Sequence, residues 1–580
     1  MDKRTALATA LIFAVWIVYM LWFAPKPQPR PATVNAPADT TQVIKADTAA
    51  PAPSEQASLG DLSAPSVEPV DQTPVDTIVV TGDMYEYRFI TRGAVLVKAW
   101  LKHYPSFGGA KKNPDSDKLP PVQLIPDESR FLASRLIFGG SGKDVDLGAR
   151  RFSPDRLSLR LDKSNPQGSI TFVDTLNGGA TIRIVYTFKN DSYLIESAMY
   201  LPPQLSGANG NALEVTLGPT LVSNEKKPDA DYASYKTIYY DNGSVVEKSI
   251  KDLSKSDWQP SGDHKILWGG LKSQYFITTF FVPDNPMDGM SASGKMEAKR
   301  IYFRGRFPVP AQAGAPVVYS LYAGPQAYDQ ITRLNYGLPK IFEYGWVIIQ
   351  PFTKMILRIM LWMHTYVSNY ALILVLFALL IKVVFYPLTI KSTKSQIEMQ
   401  KIQPLMTEMR ERYKDDPRKQ QEEMLRLYRE HKVNPLGGCL PLVIQMPVLF
   451  ALFYVFQRTI ELRGAEGFLW IHDLSQADPY YVLPVLMAAT MFIQQKLTPT
   501  QTDPKMKPMM YMMPIMMLIF FINFSSGLVL YYTIFNVIQM LQQMYIQKRY
   551  HAPLQAAAAT AGSAKAVAAP KQTGTRKKKV

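Results

Sequence analysis

Lys382 stands in the run Tyr370–Leu388, where it is the only Lys, Arg, His, Asp or Glu. The run is about one bilayer long, and an ammonium near the middle of hydrocarbon costs roughly 2.5–3.5 kcal/mol on insertion scales. Such a group sits where water or a partner compensates it. The plain alternative is snorkelling: six residues, about 9 Å of helix, separate it from Leu388, a distance a lysine stem can reach. A positive charge held in a hydrophilic groove among apolar helices needs no covalent step to do work. It can attract an acidic residue of a short polar segment and so lower the barrier for that segment to enter the bilayer.

Other chemistry is poorly supplied. The six histidines (His103, His264, His364, His431, His472 and His551) are scattered singly. No H-E-x-x-H, phosphate-binding G-x-x-x-x-G-K-[ST] or nucleophile elbow G-x-S-x-G occurs. His472 beside Asp473 reads as an interfacial hydrogen bond. The single cysteine, Cys439, excludes an intramolecular disulfide and a cysteine metal cluster, and reads as a small buried hydrophobe. The expectation is a protein that is not an enzyme, with no cofactor and no metal.

The apolar C-terminal part offers polar groups instead. Segments interrupted by Pro441, Pro447, Pro508 and Pro514 contain Gln445, Gln494, Asn523, Ser525, Ser526, Asn536 and Gln539. Intramembrane polar groups need partners or water, so several should face an interior cavity. Nineteen of the 26 methionines lie at or after Met355, densest at Met506, Met509, Met510, Met512, Met513, Met516 and Met517. Flexible thioethers suit promiscuous apolar recognition; lipid-facing filler or bundle packing is the alternative.

The elements that must position these residues follow from the chain pattern. Lys3 and Arg4 precede an apolar run that ends in Tyr19, Met20, Trp22 and Phe23, with no small-residue cleavage site. Residues 1–24 thus read as an uncleaved anchor with its N-terminus in the cytoplasm. Residues 25–77 hold ten prolines and read as a disordered tether. From 78 to 324 the pattern has period two: Tyr85, Tyr87 and Phe89 alternate with Glu86 and Arg88, and Ile182, Ile184, Tyr186 and Phe188 share a face. With turns at Asn177-Gly178-Gly179 and Asp241-Asn242-Gly243, this predicts one large β-sandwich outside the cytoplasm.

The charged, Trp/Tyr-rich stretch 338–367 predicts an amphipathic helix lying in the interface. Five spans are expected next, at 369–388, 436–457, 479–496, 508–524 and 527–547. Loop charge sets their direction: 389–433 carries eleven Lys/Arg, 496–507 three and 548–580 eight, against two in 458–478. That asymmetry places both termini in the cytoplasm. The net charge of +16, of which the tail supplies +8, points to an anionic partner. Loop 389–433 predicts a helical hairpin. Ile402, Met406, Met409 and Tyr413 line one face, Met424, Leu425 and Tyr428 another, and Asp416-Pro417 starts the second helix. Glu408/Arg412 and Glu422/Arg426 are the expected i,i+4 pairs.

At several points this chain resembles the YidC family of membrane protein insertases, relatives of the Oxa-type proteins of organelles. The resemblance rests on Tyr386-Pro387-Leu388-Thr389, Asn434-Pro435-Leu436-Gly437-Gly438-Cys439-Leu440-Pro441, Gln445-Met446-Pro447 and Leu469-Trp470-Ile471-His472-Asp473-Leu474. Asp478-Pro479-Tyr480-Tyr481 and Ser526-Gly527-Leu528-Val529-Leu530-Tyr531-Tyr532 complete it, in order along nearly the whole chain. It implies a multi-domain membrane protein: an anchor helix, a periplasmic all-β supersandwich, and an α-helical core of five transmembrane helices around a cytoplasm-facing groove. Bacterial relatives usually carry arginine five residues before the Tyr-Pro proline, where this chain has Lys382. Lysine keeps the charge but loses the planar fork that grips a carboxylate at two points.

By resemblance, Lys382, Gln445 and Asn536 would line the groove, with Tyr531 and Tyr532 as its aromatics. Met446, Met509, Met513, Met517 and Phe521 would form the hydrophobic slide. Met406, Met409, Tyr413, Met424 and Tyr428 of the hairpin would receive substrates. Lys548, Arg549, Arg576, Lys577, Lys578 and Lys579 would meet a ribosome or anionic lipids. The implied partners are nascent integral membrane proteins and the secretion translocon. Two other classes compete. A transporter or channel with a sensory ectodomain would show repeat-related halves and charges in several spans. An anchored carbohydrate-binding or envelope-structural protein, with its function in the β-domain, would leave Lys382 and the basic hairpin without a purpose.

Overall fold

The computed structural model describes residues 75–108, 119–127, 129–138, 144–176, 179–205, 211–260, 264–282, 286–334, 337–434, 440–497 and 507–567. The expected anchor, nearly all of the Pro-rich tether, Asn177-Gly178, Cys439 and the tail beyond 567 lie outside the described residues.

From Thr77 to Pro325 the chain is mostly antiparallel strand. The strand Tyr85–Ile90 buries Tyr85, Tyr87 and Phe89, and Thr181–Lys189 buries Ile182, Ile184, Tyr186 and Phe188, as alternation requires. One five-stranded sheet runs Pro121–Gln123, Val95–Pro105, Tyr85–Ile90, Thr77–Thr81, Ser158–Arg160, its last pair parallel. A nine-stranded sheet runs Ser244–Ser249, Lys236–Asp241, Ile266–Lys272, Phe276–Phe281, Val317–Pro325, Leu194–Tyr200, Thr181–Lys189, Gln167–Thr175, Ser153–Pro154. The third, of five strands, runs Gly289–Lys295, Arg300–Pro308, Ala212–Leu217, Ala133–Ile137, Asp144–Asp146.

Aromatic side chains join both smaller sheets to the large one. Phe89 lies 5.1 Å from Tyr186, and Phe307 lies 4.8 Å from Tyr319, each pair stacked. The turn Asn242-Gly243 has φ of 45° and 90°, the doubly left-handed pair that a tight hairpin between right-twisted strands requires. Three short helices interrupt or close the domain: α1 (Pro228–Tyr232), α2 (Ile250–Leu253) and α3 (Tyr328–Arg333).

The stretch 338–367 differs from the single helix expected. Leu338–Ile341 is one 3-10 turn, and the chain then passes Gly345 at φ 89°. Helix α4 starts only at Gln350, with Pro351 in its first turn, and ends at His364. It buries Thr353, Ile356, Leu357 and Met360 and exposes Met355 and Trp362, so the amphipathic character holds over this shorter length.

Helices α5 (Tyr370–Val384) and α6 (Tyr386–Lys401) meet at a 63° bend. Beyond the hairpin lie α9 (Leu440–Arg458), α10 (Val482–Leu497), α11 (Lys507–Phe521) and α12 (Ser526–Val567). Helix α5 packs on α12, α10 on α11 and α12, and α9 on α4. Among the described residues no single helix is long and apolar enough to cross a membrane, although α5 and α6 pass that test together. A 15-residue helix such as α5 is about 22 Å long, against roughly 30 Å of hydrocarbon.

Ion pairs fasten the helices to the β-domain. Glu343 meets Lys236 at 2.8 Å, Lys272 at 3.2 Å and Arg458 at 3.0 Å. The charges at Lys340 and Glu343, read from sequence as the polar face of a helix, are therefore ties to the strands: Lys340 donates to the Gly243 carbonyl at 2.6 Å. Glu461 accepts from the Tyr328 backbone N–H at 2.9 Å.

The hairpin forms a separate compact unit, Glu398–Pro435. Its helices are α7 (Gln403–Arg412) and α8 (Pro417–Glu430). Asp416 caps α8 by accepting from the Arg418 and Lys419 N–H groups, with Pro417 at the first position. Ile402, Met406 and Val433 are its core, covered by Met399, Met424, Leu427 and Tyr428. Leu425, expected inside, is half exposed, and Leu427 takes the inward position. Arg426 pairs with Glu430 at 2.8 Å and Glu423 at 3.8 Å rather than with Glu422.

Candidate functional site

Lys382 lies in the last turn of α5, two residues before the helix stops at Val384. A cation there faces the unpaired carbonyls of a helix C-terminus, a favourable place for it. The side chain does not snorkel outward; it is 5 % exposed and turns towards α12. There its ammonium donates to the amide oxygen of Gln539 and sits 3.1 Å from the centroid of the Phe535 ring. Among the described residues inside helices α4 to α12, connecting segments left aside, it is the only buried Lys, Arg, Asp or Glu. None of those residues offers it a carboxylate.

Phe535 extends the site along α12. It lies 5.9 Å from Tyr531, which is fully buried and sits 6.0 Å from Phe377 of α5. Gln445 of α9 donates to the Tyr531 hydroxyl at 3.5 Å. The structure thus brings Lys382, Gln445 and Tyr531 into one chain of contacts through Phe535. Asn536, the next residue of α12, is buried, its amide nitrogen without a partner among the described residues. A buried unpaired donor is costly.

Sequence reasoning had Gln539 among the polar groups but did not connect it to Lys382, and it passed over Phe535. The available signal was spacing: Phe535 and Gln539 are four residues apart and therefore on one helix face.

The expected slide residues divide. Met513 and Met446 are exposed, Met517 is partly covered, and Phe521 is buried against Phe524 and Tyr532. Tyr532 stacks on Phe521 at 5.7 Å and on Phe535 at 6.5 Å, and so shares the Phe535 contact with Tyr531 while also packing on α11. The outward row of α11 is Met512, Ile515, Met516 and Ile519, at i, i+3, i+4 and i+7. Met509 falls in the first turn of the same helix.

In the hairpin, Met406 is buried, and Met409, Tyr413, Met424 and Tyr428 are half-buried. Lys548 and Arg549 are exposed on α12, while Arg576, Lys577, Lys578 and Lys579 lie outside the described residues. His472 is exposed, and its neighbour Asp473 instead accepts from Gly464 and Ser475.

Two family models match the chain: the YidC periplasmic domain over residues 77–362 and the 60Kd inner membrane protein over 362–553. The class is therefore an inner membrane protein with a periplasmic domain, mostly β-sheet, ahead of a helical C-terminal part. The membrane protein insertase YidC of Chlorobaculum tepidum is 36% identical over 598 residues, spanning 97% of this chain and 98% of that one. Its counterpart in Syntrophus aciditrophicus is 33% identical over 566 residues, covering 95% and 100%. A crystal structure of an active YidC insertase with the first transmembrane domain resolved matches 81% of this chain and 93% of its own, at 18% identity and a TM-score of 0.35. This chain belongs to the YidC family of membrane protein insertases.

Proposed function

We propose that this protein inserts newly made integral membrane proteins through a groove on the cytoplasmic side that carries the Lys382 charge. The observation that carries this reading is a buried ammonium whose partners among the described residues are neutral, the Gln539 amide and the Phe535 ring. Such a charge has affinity left for a carboxylate, and a carboxylate on an entering segment would gain a charge-assisted hydrogen bond. Gln445, Tyr531 and Asn536 add the polar wall that makes passage cheaper than direct entry into hydrocarbon. The apolar neighbour of that segment leaves along the outward row of α11 and the exposed Met513, with Met446 of α9 as a further apolar contact, driven by hydrophobic partitioning.

In this reading α5, α9, α10, α11 and α12 cross the membrane with both termini in the cytoplasm. The hairpin residues Met406, Met409, Tyr413, Met424 and Tyr428 receive substrate. The secretion translocon is a partner for larger clients, and the basic tail meets a ribosome or anionic lipids. No covalent step, cofactor or metal is called for.

The test is insertion of a short single-span substrate into liposomes, scored by protease protection, with wild type, Lys382→Arg, Lys382→Ala and Lys382→Glu side by side. Survival with Arg and loss with Ala and Glu is the expected result. Equal insertion by all four removes Lys382 from the mechanism. No insertion by folded wild type overturns the insertase reading.

A further inference from the structure

The Lys382 ammonium is neither free nor paired with an acid. It rests on two groups presented by one face of α12, the Phe535 ring and the Gln539 amide oxygen, four residues apart. An ammonium has three donors and no acceptor, so in a buried place it needs at least one strong oxygen. Gln539 supplies that oxygen without supplying charge. The ring face of Phe535 adds quadrupole attraction from a second side. A point charge on a flexible stem fits this arrangement; a guanidinium, with five donors in a plane, would be left with most of them unpaired.

The consequence concerns selection. We propose that Phe535 and Gln539 form a neutral holding site for Lys382, from which an acidic residue of the entering segment must take the ammonium. The pair thereby sets how strongly acidic segments are preferred to neutral ones. The inference rests on the insertase reading above and assigns these two residues as positioning residues for its charge. Holding by neutral partners keeps the buried ammonium tolerable between substrates, while a carboxylate still outcompetes an amide oxygen for it. A carboxylate at 539 would occupy the charge permanently, and an aliphatic residue at 535 or 539 would leave it less well held. The transfer is a hydrogen-bond exchange: the ammonium leaves the Gln539 oxygen, bonds the substrate carboxylate, and returns when the segment moves into lipid.

The test uses full-length protein in phosphatidylethanolamine–phosphatidylglycerol vesicles and two single-span substrates that differ only by Asp or Asn in the translocated tail. The readout is the ratio of Asp to Asn substrate inserted. Gln539→Glu should lower that ratio about tenfold. Phe535→Leu, which keeps the apolar volume but removes the ring face, should raise the ratio about threefold. The exchange variant Lys382→Gln/Gln539→Lys moves the charge to the facing helix and should restore a ratio above that of Gln539→Glu, a result that a purely structural role for Gln539 does not give. If Gln539→Glu fails to fold, Phe535→Leu decides. A wild-type ratio in the folded single variants overturns the holding site. Wild type that inserts neither substrate overturns the insertase reading instead, so the two failures are distinguishable.

Discussion

Arg463 and Glu225, 238 positions apart in the chain, meet at 2.7 Å with both side chains buried. Arg463 also donates to the Pro105 carbonyl at 2.8 Å and the Asn224 carbonyl at 3.1 Å, and lies over the Phe107 ring at 4.5 Å. Pro105, Phe107, Asn224 and Glu225 belong to the periplasmic domain, whereas Arg463 follows α9. Burial raises the Glu225 carboxyl despite the opposing pull of the Arg463 guanidinium, so the acid depends on this one partner.

Arg463→Ala should therefore cost about 3–5 kcal/mol, because it strands a buried carboxylate rather than merely removing a contact. Thermal unfolding in detergent should show the loss, and the double variant Arg463→Met/Glu225→Gln should recover most of it. A single variant as stable as wild type would mean that water reaches Glu225.

Glu343 behaves oppositely. Burial alone would raise it, but Lys272, Arg458 and Lys236 together hold it well below the usual carboxylate range. A lowered folded value stabilises above the unfolded value of about 4.3 and is lost as pH falls towards the folded one. Glu343→Gln should cost on the order of 2 kcal/mol at pH 7, after allowance for partial solvent screening. The gap to wild type should narrow steadily below about pH 4, read from unfolding midpoints across pH. A gap that stays constant to pH 3 and below would remove the ion pairs as its cause.

Gly345 has φ 89°, and a Cβ added there would clash with the Tyr454 ring. Gly345→Ala thus combines left-handed strain with a clash against α9, and should destabilise by about 2–4 kcal/mol. Gly314→Ala is the comparison: φ is 80° there, but nothing lies within 4 Å of the added Cβ, so only the strain, about 1 kcal/mol, should appear. Equal melting points for the two variants would show that Tyr454 moves aside freely.

Met513 and Phe521 separate sliding from packing. Phe521 is 3 % exposed beneath Phe524 and Tyr532, so Phe521→Ala should lose about 3–5 kcal/mol of stability. Met513→Ala, on an exposed side chain, should leave the melting point within about 1 °C and lower insertion of weakly apolar substrates. The reverse pattern would exchange their roles.

Strand pattern was the most legible level. Tyr85, Tyr87 and Phe89 announce their face because a strand repeats every two residues, and Asp416-Pro417 announces a helix start because the cap and the proline need no tertiary partner. What sequence left open was rotation about helix axes. Met509, Met513, Met517 and Phe521 form a true i,i+4 row, yet its far end dives under Tyr532, which only the neighbouring helix decides. Leu425 and Leu427 exchanged places for the same reason. Lys382 drew notice by its charge; its partners Phe535 and Gln539 lie more than 150 positions on, and no local rule links them.

The strand Val317–Pro325 lies between Phe276–Phe281 and Leu194–Tyr200, in the middle of the nine-stranded sheet, yet it is the last of the sheet's strands to be synthesised. Until it is delivered, the sheet consists of two four-stranded halves, each with an open edge facing the gap. The periplasmic domain is therefore zipped shut by the chain's own progress, just before α3 begins at Tyr328. A chain halted short of Pro325 would display two unpaired strand edges to every neighbour in the periplasm.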